Sequence, residues 1–529
     1  MKKFSTIIMA IALVLGLSQC KKQETPTGTS TEDGMVYITV NVENGGGRHH
    51  IEPSVGAYIF TNGDVLYVGD GDHYIGSLSY SNGAFTGGIE APLLGSYLHF
   101  YFLGGKGPNP NDINGNPQNF TIDIADQSNN LPLLAYGCSA QPYTGPDGPY
   151  STTLRNKCAL VKFDLVMTTN DAVTVSGMLT EATIDFATPG ITPTSTTGTM
   201  TLYSESETEK WAILLPQEEA ISSFTVNIGS DSYTVTGSYN ITNNGYINNG
   251  IEVVNATILN LGDVHDDQVV PSNTILTGTL AENHMISIAA GATVMLKNAN
   301  INGDNTWNDG NHAGITCLGD ATIILDGTNK TRGSNYGYPG VFIASDCTLT
   351  IRGDGSLNAN GYGGAGIGAG DGDEGAGSCG NIVIKSGNIT ALGAGSGCAG
   401  IGGAKRSNCG NISIEGGTIT SNGTSGGSGI GGGSFGSCGD ITISGGTVTA
   451  ESQFNGAGIG EGYYGTCGII TIGNGITKVT ANRDKIESED EPYSQCIGKS
   501  QGSSNTVTVS VAAVLSDTGE GGYTRIIQH

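Results

Sequence analysis

Several groups of residues in this chain could do chemistry, and they point to different kinds. Trp307 stands among Asp304, Asn305, Asn308 and Asp309, and Tyr336 and Tyr338 occupy the next long loop. Aromatic faces beside short amides and carboxylates suit sugars, which stack on a ring while their hydroxyls take hydrogen bonds. Tyr463 and Tyr464 repeat the aromatic part of that pattern farther on. Asp371, Asp373 and Glu374 place three carboxylates on one glycine-rich loop. Calcium takes oxygen ligands of this kind, although the spacing matches neither an EF-hand nor a regular nonapeptide roll. Arg352-Gly-Asp354 is a tripeptide some integrins read, but it falls at a recurring strand-to-corner junction and is expected to be a turn.

Catalysis on polysaccharides would need clustered carboxylates, or a carboxylate-bound metal with a Lys or Arg base, on one face. The outward strand positions are Asn381, Val383 and Lys385, then Asn411, Ser413 and Glu415, then Asp440, Thr442 and Ser444. No carboxylate pair recurs on neighbouring units, and no P-loop, nucleophile elbow or zinc signature is present. A binding protein without catalysis is expected.

The elements that must carry these groups are legible in a repeat. Cys379-Gly-Asn-Ile-Val-Ile returns with small changes at Cys409, Cys438 and Cys467, at intervals of 30, 29 and 29 residues. A fixed period of this length means stacked units, none able to bury its apolar residues alone. Within a unit, apolar and polar residues alternate, as in Ile412-Ser-Ile414 and Thr418-Ile-Thr420, which is the period of strands with one face inward. Stacking should set Ile384, Ile414, Ile443 and Ile472 in one internal column. Ile401, Ile430 and Ile459 should form a second, and Ile389, Ile419 and Val448 a third. The expectation is a right-handed parallel β-helix of roughly nine coils within residues 256–529, about 40 Å long at about 4.8 Å per coil.

The N-terminus reads as an export signal. Met1-Lys-Lys gives a positive start, and Ile7 to Leu17 form an apolar stretch too short to span a bilayer stably. Leu17-Ser-Gln-Cys20 resembles a lipobox, in which the cysteine is acylated after cleavage. A signal peptide over 1–19, lipid on Cys20 and a flexible tether over 20–34 follow. Formal net charge is −26 with pI near 4.5, which argues against nucleic-acid partners. Eleven cysteines occur. An exported location would let Cys138 pair with Cys158. The stacked Cys379, Cys409, Cys438 and Cys467 lie within disulfide reach, but a ladder of compact buried thiols is expected.

Residues 35–255 carry no repeat. Short alternating segments such as Val36–Val42, Tyr97–Phe102, Ala159–Leu165, Trp211–Gln217 and Ser223–Ile228 are separated by Gly, Asn, Asp and Pro. This predicts an all-β region of two sandwich subdomains, near 35–155 and 156–255.

The order of lipobox, first strand, Phe-Tyr-Phe-Leu-Gly-Gly, Asn156-Lys-Cys-Ala-Leu-Val-Lys-Phe-Asp-Leu165 and Leu214-Leu-Pro-Gln resembles the fimbrillin lipoproteins of Bacteroidetes. That resemblance implies a pilin-like module used in surface fibres or adhesion, in which proteolysis after a basic residue opens a groove for a donor strand. Arg48 would be that residue here. A solenoid following at once on the second sandwich suits a terminal or stand-alone subunit better than a repeated shaft subunit. The solenoid itself resembles β-helix carbohydrate-binding modules, through Asn308–Ile315, Ile324–Asn329, Leu349–Gly355 and the Gly-Ala-Gly-Ile-Gly units. This implies polysaccharide binding, with calcium as a candidate cofactor. The function expected is cell-surface adhesion, as a pilus-tip or stand-alone adhesin on the outer membrane. Polysaccharide or glycoprotein surfaces and fimbrial subunits would be its partners, and it would touch the membrane only through lipid. A glycan-capture lipoprotein of an uptake system is the alternative, with a polysaccharide lyase behind it.

Overall fold

The computed structural model describes residues 35–42, 47–48, 58–148, 150–242, 246–302, 310–483, 494–512, 516–519 and 523–529. The expected signal, Cys20 and the tether lie outside these residues. Strands dominate throughout, the described helical elements being single 3-10 turns at Pro110–Asp112 and Leu261–Asp263. The chain divides into two compact units, Met1–Val254 and Asn255–His529.

In the N-terminal unit, Met35–Val42 lies inside an eight-stranded sheet, antiparallel to Ala84–Glu90 and parallel to Tyr150–Thr152. Its alternation places Ile38 and Val40 in the core. Two four-stranded sheets follow, one containing Ala159–Leu165 and the other Ile221–Ile228. They meet through Phe163 and Phe224, edge to face with centroids 5.9 Å apart, a geometry aromatic pairs favour. The division expected near residue 155 is blurred, because Asn119–Asp123 pairs with Glu181–Asp185 across it. The fully buried Gln127 also crosses it. Its amide donates to the Ile213 carbonyl at 2.8 Å and accepts from the Ile213 N–H at 2.8 Å, so one side chain satisfies both backbone groups.

The C-terminal unit is a parallel solenoid, and its internal columns are those the period requires. Ile384, Ile414, Ile443 and Ile472 are neighbours in register. So are Ile389, Ile419 and Val448, and so are Ile401, Ile430 and Ile459. All are buried. One wall is a nine-stranded sheet from Gln268–Val270 to Ile497–Gly498, whose later members shrink to the dipeptide Ile-Gly. The exposed edge beyond Ile470–Asn482 is met by Thr524–Gln528, which turns back antiparallel and buries Ile527. A strand closing the last coil removes a template for edge-to-edge association.

Among the described residues Cys138, Cys158, Cys317, Cys347, Cys379, Cys398, Cys409, Cys438 and Cys467 are free thiols. The pairing expected between Cys138 and Cys158 is not made, since Cys158 is buried in the core and Cys138 is exposed. Cys409, Cys438 and Cys467 follow one another in register. Each of these thiols, like Cys379, points at a backbone carbonyl 3.7–3.9 Å away.

Candidate functional site

The loop between Thr328–Arg332 and Val341–Ile343 presents Tyr336 to solvent, 39% exposed. Its ring lies over Gly363 of the next coil, where an added Cβ would come within 2.9 Å of ring carbons. Gly395, one coil farther, also borders the ring. Two glycines therefore make the bed on which the ring rests. Tyr362 meets Tyr336 edge to face at 6.4 Å, and the Arg332 guanidinium sits 5.0 Å from the Tyr362 ring. Tyr338, by contrast, is held by its backbone, exchanging hydrogen bonds of 2.8 and 3.2 Å with Tyr362, and is half-buried.

Polar groups gather beside the ring. The Asn335 amide donates to Asn311 at 3.1 Å and its oxygen accepts from the Tyr336 N–H at 2.7 Å. His312 is buried with Nδ1 on its neighbour's carbonyl, and its Nε2 has no hydrogen-bond partner among the described residues. The Asn358 and Asn360 side-chain oxygens are likewise buried and unpartnered. Buried acceptors and donors of this kind are usually satisfied.

The acidic loop packs directly against this one. The Gly337 carbonyl accepts from Asp371 N–H at 2.9 Å and Ala376 N–H at 3.3 Å. Two of the three carboxylates expected to take a cation, Asp371 and Asp373, face cations of the chain itself. Arg406 binds Asp373 at 2.9 Å, and Lys405 approaches Asp373 at 3.4 Å and the buried Asp371 at 4.0 Å. Among the described residues no group of three or more His, Cys, Asp or Glu side chains is placed to hold a metal ion. Arg352-Gly-Asp354 is the turn expected, at the end of Thr348–Gly353.

Trp307, Asn308 and Asp309 lie outside the described residues, so the structure brings together Tyr336, Tyr338 and the acidic loop from the expected set. Arg48 belongs to the other unit, where its backbone pairs in the two-residue strand Gly47–Arg48 with Tyr58–Ile59. Sequence reasoning missed Tyr362, Arg332 and the glycine bed. Aligning the upstream coils one beneath another would have found them, because Arg332 and Asn360 share a register position.

A family described as a β-helix repeat matches residues 349–371 and 441–460. No curated protein matches the chain. Among solved structures, two described as a "putative cell adhesion protein" are similar. The one from Bacteroides uniformis has 15% identity, covering 38% of this chain and 84% of that one at TM-score 0.27. The one from Bacteroides ovatus has 14% identity, covering 39% and 87% at TM-score 0.28. The tip fimbrial protein Mfa3 from Porphyromonas gingivalis has 13% identity, covering 38% and 81% at TM-score 0.23. Likeness at that level carries no information about what this chain binds. No described helix is long and apolar enough to cross a membrane.

Proposed function

We propose that this chain is a cell-surface adhesin, held by lipid on Cys20, whose β-helix binds a surface glycan without turning it over. The observation that carries the reading is the Tyr336 ring, exposed on a glycine bed and flanked in its own loop by the Asn335 amide, which donates to Asn311. A flat ring with hydrogen-bonding groups at its margin suits a sugar. Two carboxylates of the adjoining loop, Asp371 and Asp373, are engaged by Lys405 and Arg406, which fits binding better than general acid–base chemistry. Trp307, Asn308 and Asp309 are proposed as further contacts for the same glycan.

Trp307→Ala with Tyr336→Ala is expected to weaken retention of the full chain on glycan-coated beads or host cells at least tenfold, because each ring contributes about 1 kcal/mol or more of stacking. Far-UV circular dichroism should stay unchanged. Undiminished retention by the folded double variant would sink the assignment. The same surface would serve a glycan-capture lipoprotein. Immunogold label at fibre ends favours a tip adhesin, and even label on fibre-free cells favours capture. For anchoring, Cys20→Ala should move the protein from the membrane to the soluble fraction.

Cleavage after Arg48 fits the tip reading. It would release Met35–Val42 from between Ala84–Glu90 and Tyr150–Thr152, leaving a groove lined by the former partners of Ile38 and Val40. A donor strand from a fimbrial subunit could fill it.

A further inference from the structure

The regular coils after Cys379 look like a spacer, since most of their loop positions are Gly, Ser or Thr. Three residues break that rule in the same way. Phe435, Phe454 and Tyr464 are 53%, 55% and 53% exposed, and their φ angles are +56°, +54° and +50°. A side chain of that size rarely adopts left-handed backbone. Arg406, with φ +52°, shares the feature, and every other described non-glycine residue with positive φ is Asn, Asp or Ser.

Arg406, Phe435 and Tyr464 are separated by 29 residues each and occupy one position on successive coils. The Arg406 N–H donates to the Ser434 carbonyl and the Phe435 N–H to the Tyr463 carbonyl, both at 2.8 Å. The next coil shows what the backbone prefers there. Gly502, φ +78°, lies beneath Tyr464, and a Cβ on it would sit 2.8 Å from the ring. Large exposed side chains at a glycine-type position do not serve folding, and such outliers cluster at functional sites.

We infer that Phe435, Tyr464 and Phe454 form a second binding surface, for an extended neutral polysaccharide running along the rod. The Phe435 and Tyr464 rings stack on one another, 9° apart with centroids at 5.6 Å, and Tyr463 meets them edge to face at 5.9 and 4.4 Å. Rings at one position on two successive coils match two neighbouring units of a ligand that itself repeats, since one sugar spans about one coil rise of about 4.8 Å. Ser437 and Thr466 pair in register on the two coils that carry Phe435 and Tyr464, and the charged neighbours are engaged within the chain. Glu461 is buried and accepts from the Ser500 N–H, and Arg406 is engaged by Asp373. With a net charge of −26 on the chain, a polyanion is disfavoured.

This rests on the glycan reading above but places a contact where that reading has none. The test uses the full chain in affinity electrophoresis through gels containing soluble α-mannan, xylan or β-glucan, with polygalacturonate as the anionic comparison. Phe435→Gly with Tyr464→Gly should abolish at least tenfold of the retardation by a neutral polymer while melting no lower than wild type, because glycine fits the backbone. Phe435→Asn with Tyr464→Asn should behave alike, since asparagine also tolerates this conformation. Retardation unchanged in both variants, with Tyr336→Ala still weakening it, overturns the second surface and leaves the first. Variants that melt lower show the rings to be packing groups and overturn it too. Wild type retarded by polygalacturonate alone overturns the neutral ligand, and wild type retarded by none of the four polymers overturns the glycan reading itself.

Discussion

Gly431→Ala is expected to destabilise the rod more than trimming the buried isoleucine beside it. Ile430 is fully buried, and Ile430→Val removes one methylene group, a loss of about 0.5–1.5 kcal/mol. Gly431 lies in a column with Gly368, Gly402, Gly460 and Gly498, whose φ angles run from +126° to +137°. A Cβ on Gly431 would collide with the Gly460 carbonyl, which is backbone and cannot step aside, and would also press on Ile441. Backbone strain of about 1–3 kcal/mol and overpacking of about 1–3 kcal/mol combine to something on the order of 4 kcal/mol. Because the column is continuous, a shift at one coil is passed to the next. Urea unfolding followed by circular dichroism checks the order of the two variants. If Gly431→Ala costs less than about 1 kcal/mol, the dipeptide wall is not the constraint it is described as.

That wall shows what the sequence made legible. The period of the Cys and Ile positions is enforced by stacking, so each internal column could be named before any coordinate, and each is found in register. The all-β class followed from the same alternation. Subdomain division in the N-terminal unit was less legible, since the pairing of Asn119–Asp123 with Glu181–Asp185 joins residues about 60 positions apart, and nothing local encodes such a partner. The candidate site was half legible. Tyr336 is on the surface as expected, but the loop carboxylates look like a cation site until Lys405 and Arg406 arrive from the following coil. Ligands supplied one period away are visible only when the coils are aligned. The left-handed backbone under Phe435 and Tyr464 leaves a weaker trace, a glycine position filled by something else.

Raising the pH from about 8.5 to about 10.5 should unfold the rod. A thiol is neutral when protonated, and its ordinary pKa is about 8.5. Burial pushes Cys317 and Cys398 up to about 12. Hydrogen bonds in the ladder that the protonated thiols donate, Cys409 to Cys379 and Cys438 to Cys409, together with burial, raise these two well above the ordinary value. The folded rod thus keeps protons that the unfolded chain releases. The stability held by these thiols is complete below the unfolded pKa and falls as pH rises toward the folded one. Each group contributes about 1.4 kcal/mol per pH unit in that window, so four give a slope on the order of 5 kcal/mol per unit, against a total stability of about 5–15 kcal/mol for typical domains. Buried Tyr67 and Tyr101 are raised by burial in the N-terminal unit, but they act only above the ordinary tyrosine value of about 10. Their onset is therefore later than that of the rod. Oxidation of the ladder would remove Cys409 and Cys438 from the sum, because a disulfide carries no proton, and would roughly halve the slope. Urea titrations of the full chain at intervals from pH 8 to 10.5, with and without a thiol reductant, measure both cases. A midpoint that stays level over that range would mean the column is neither dry nor made of free thiols.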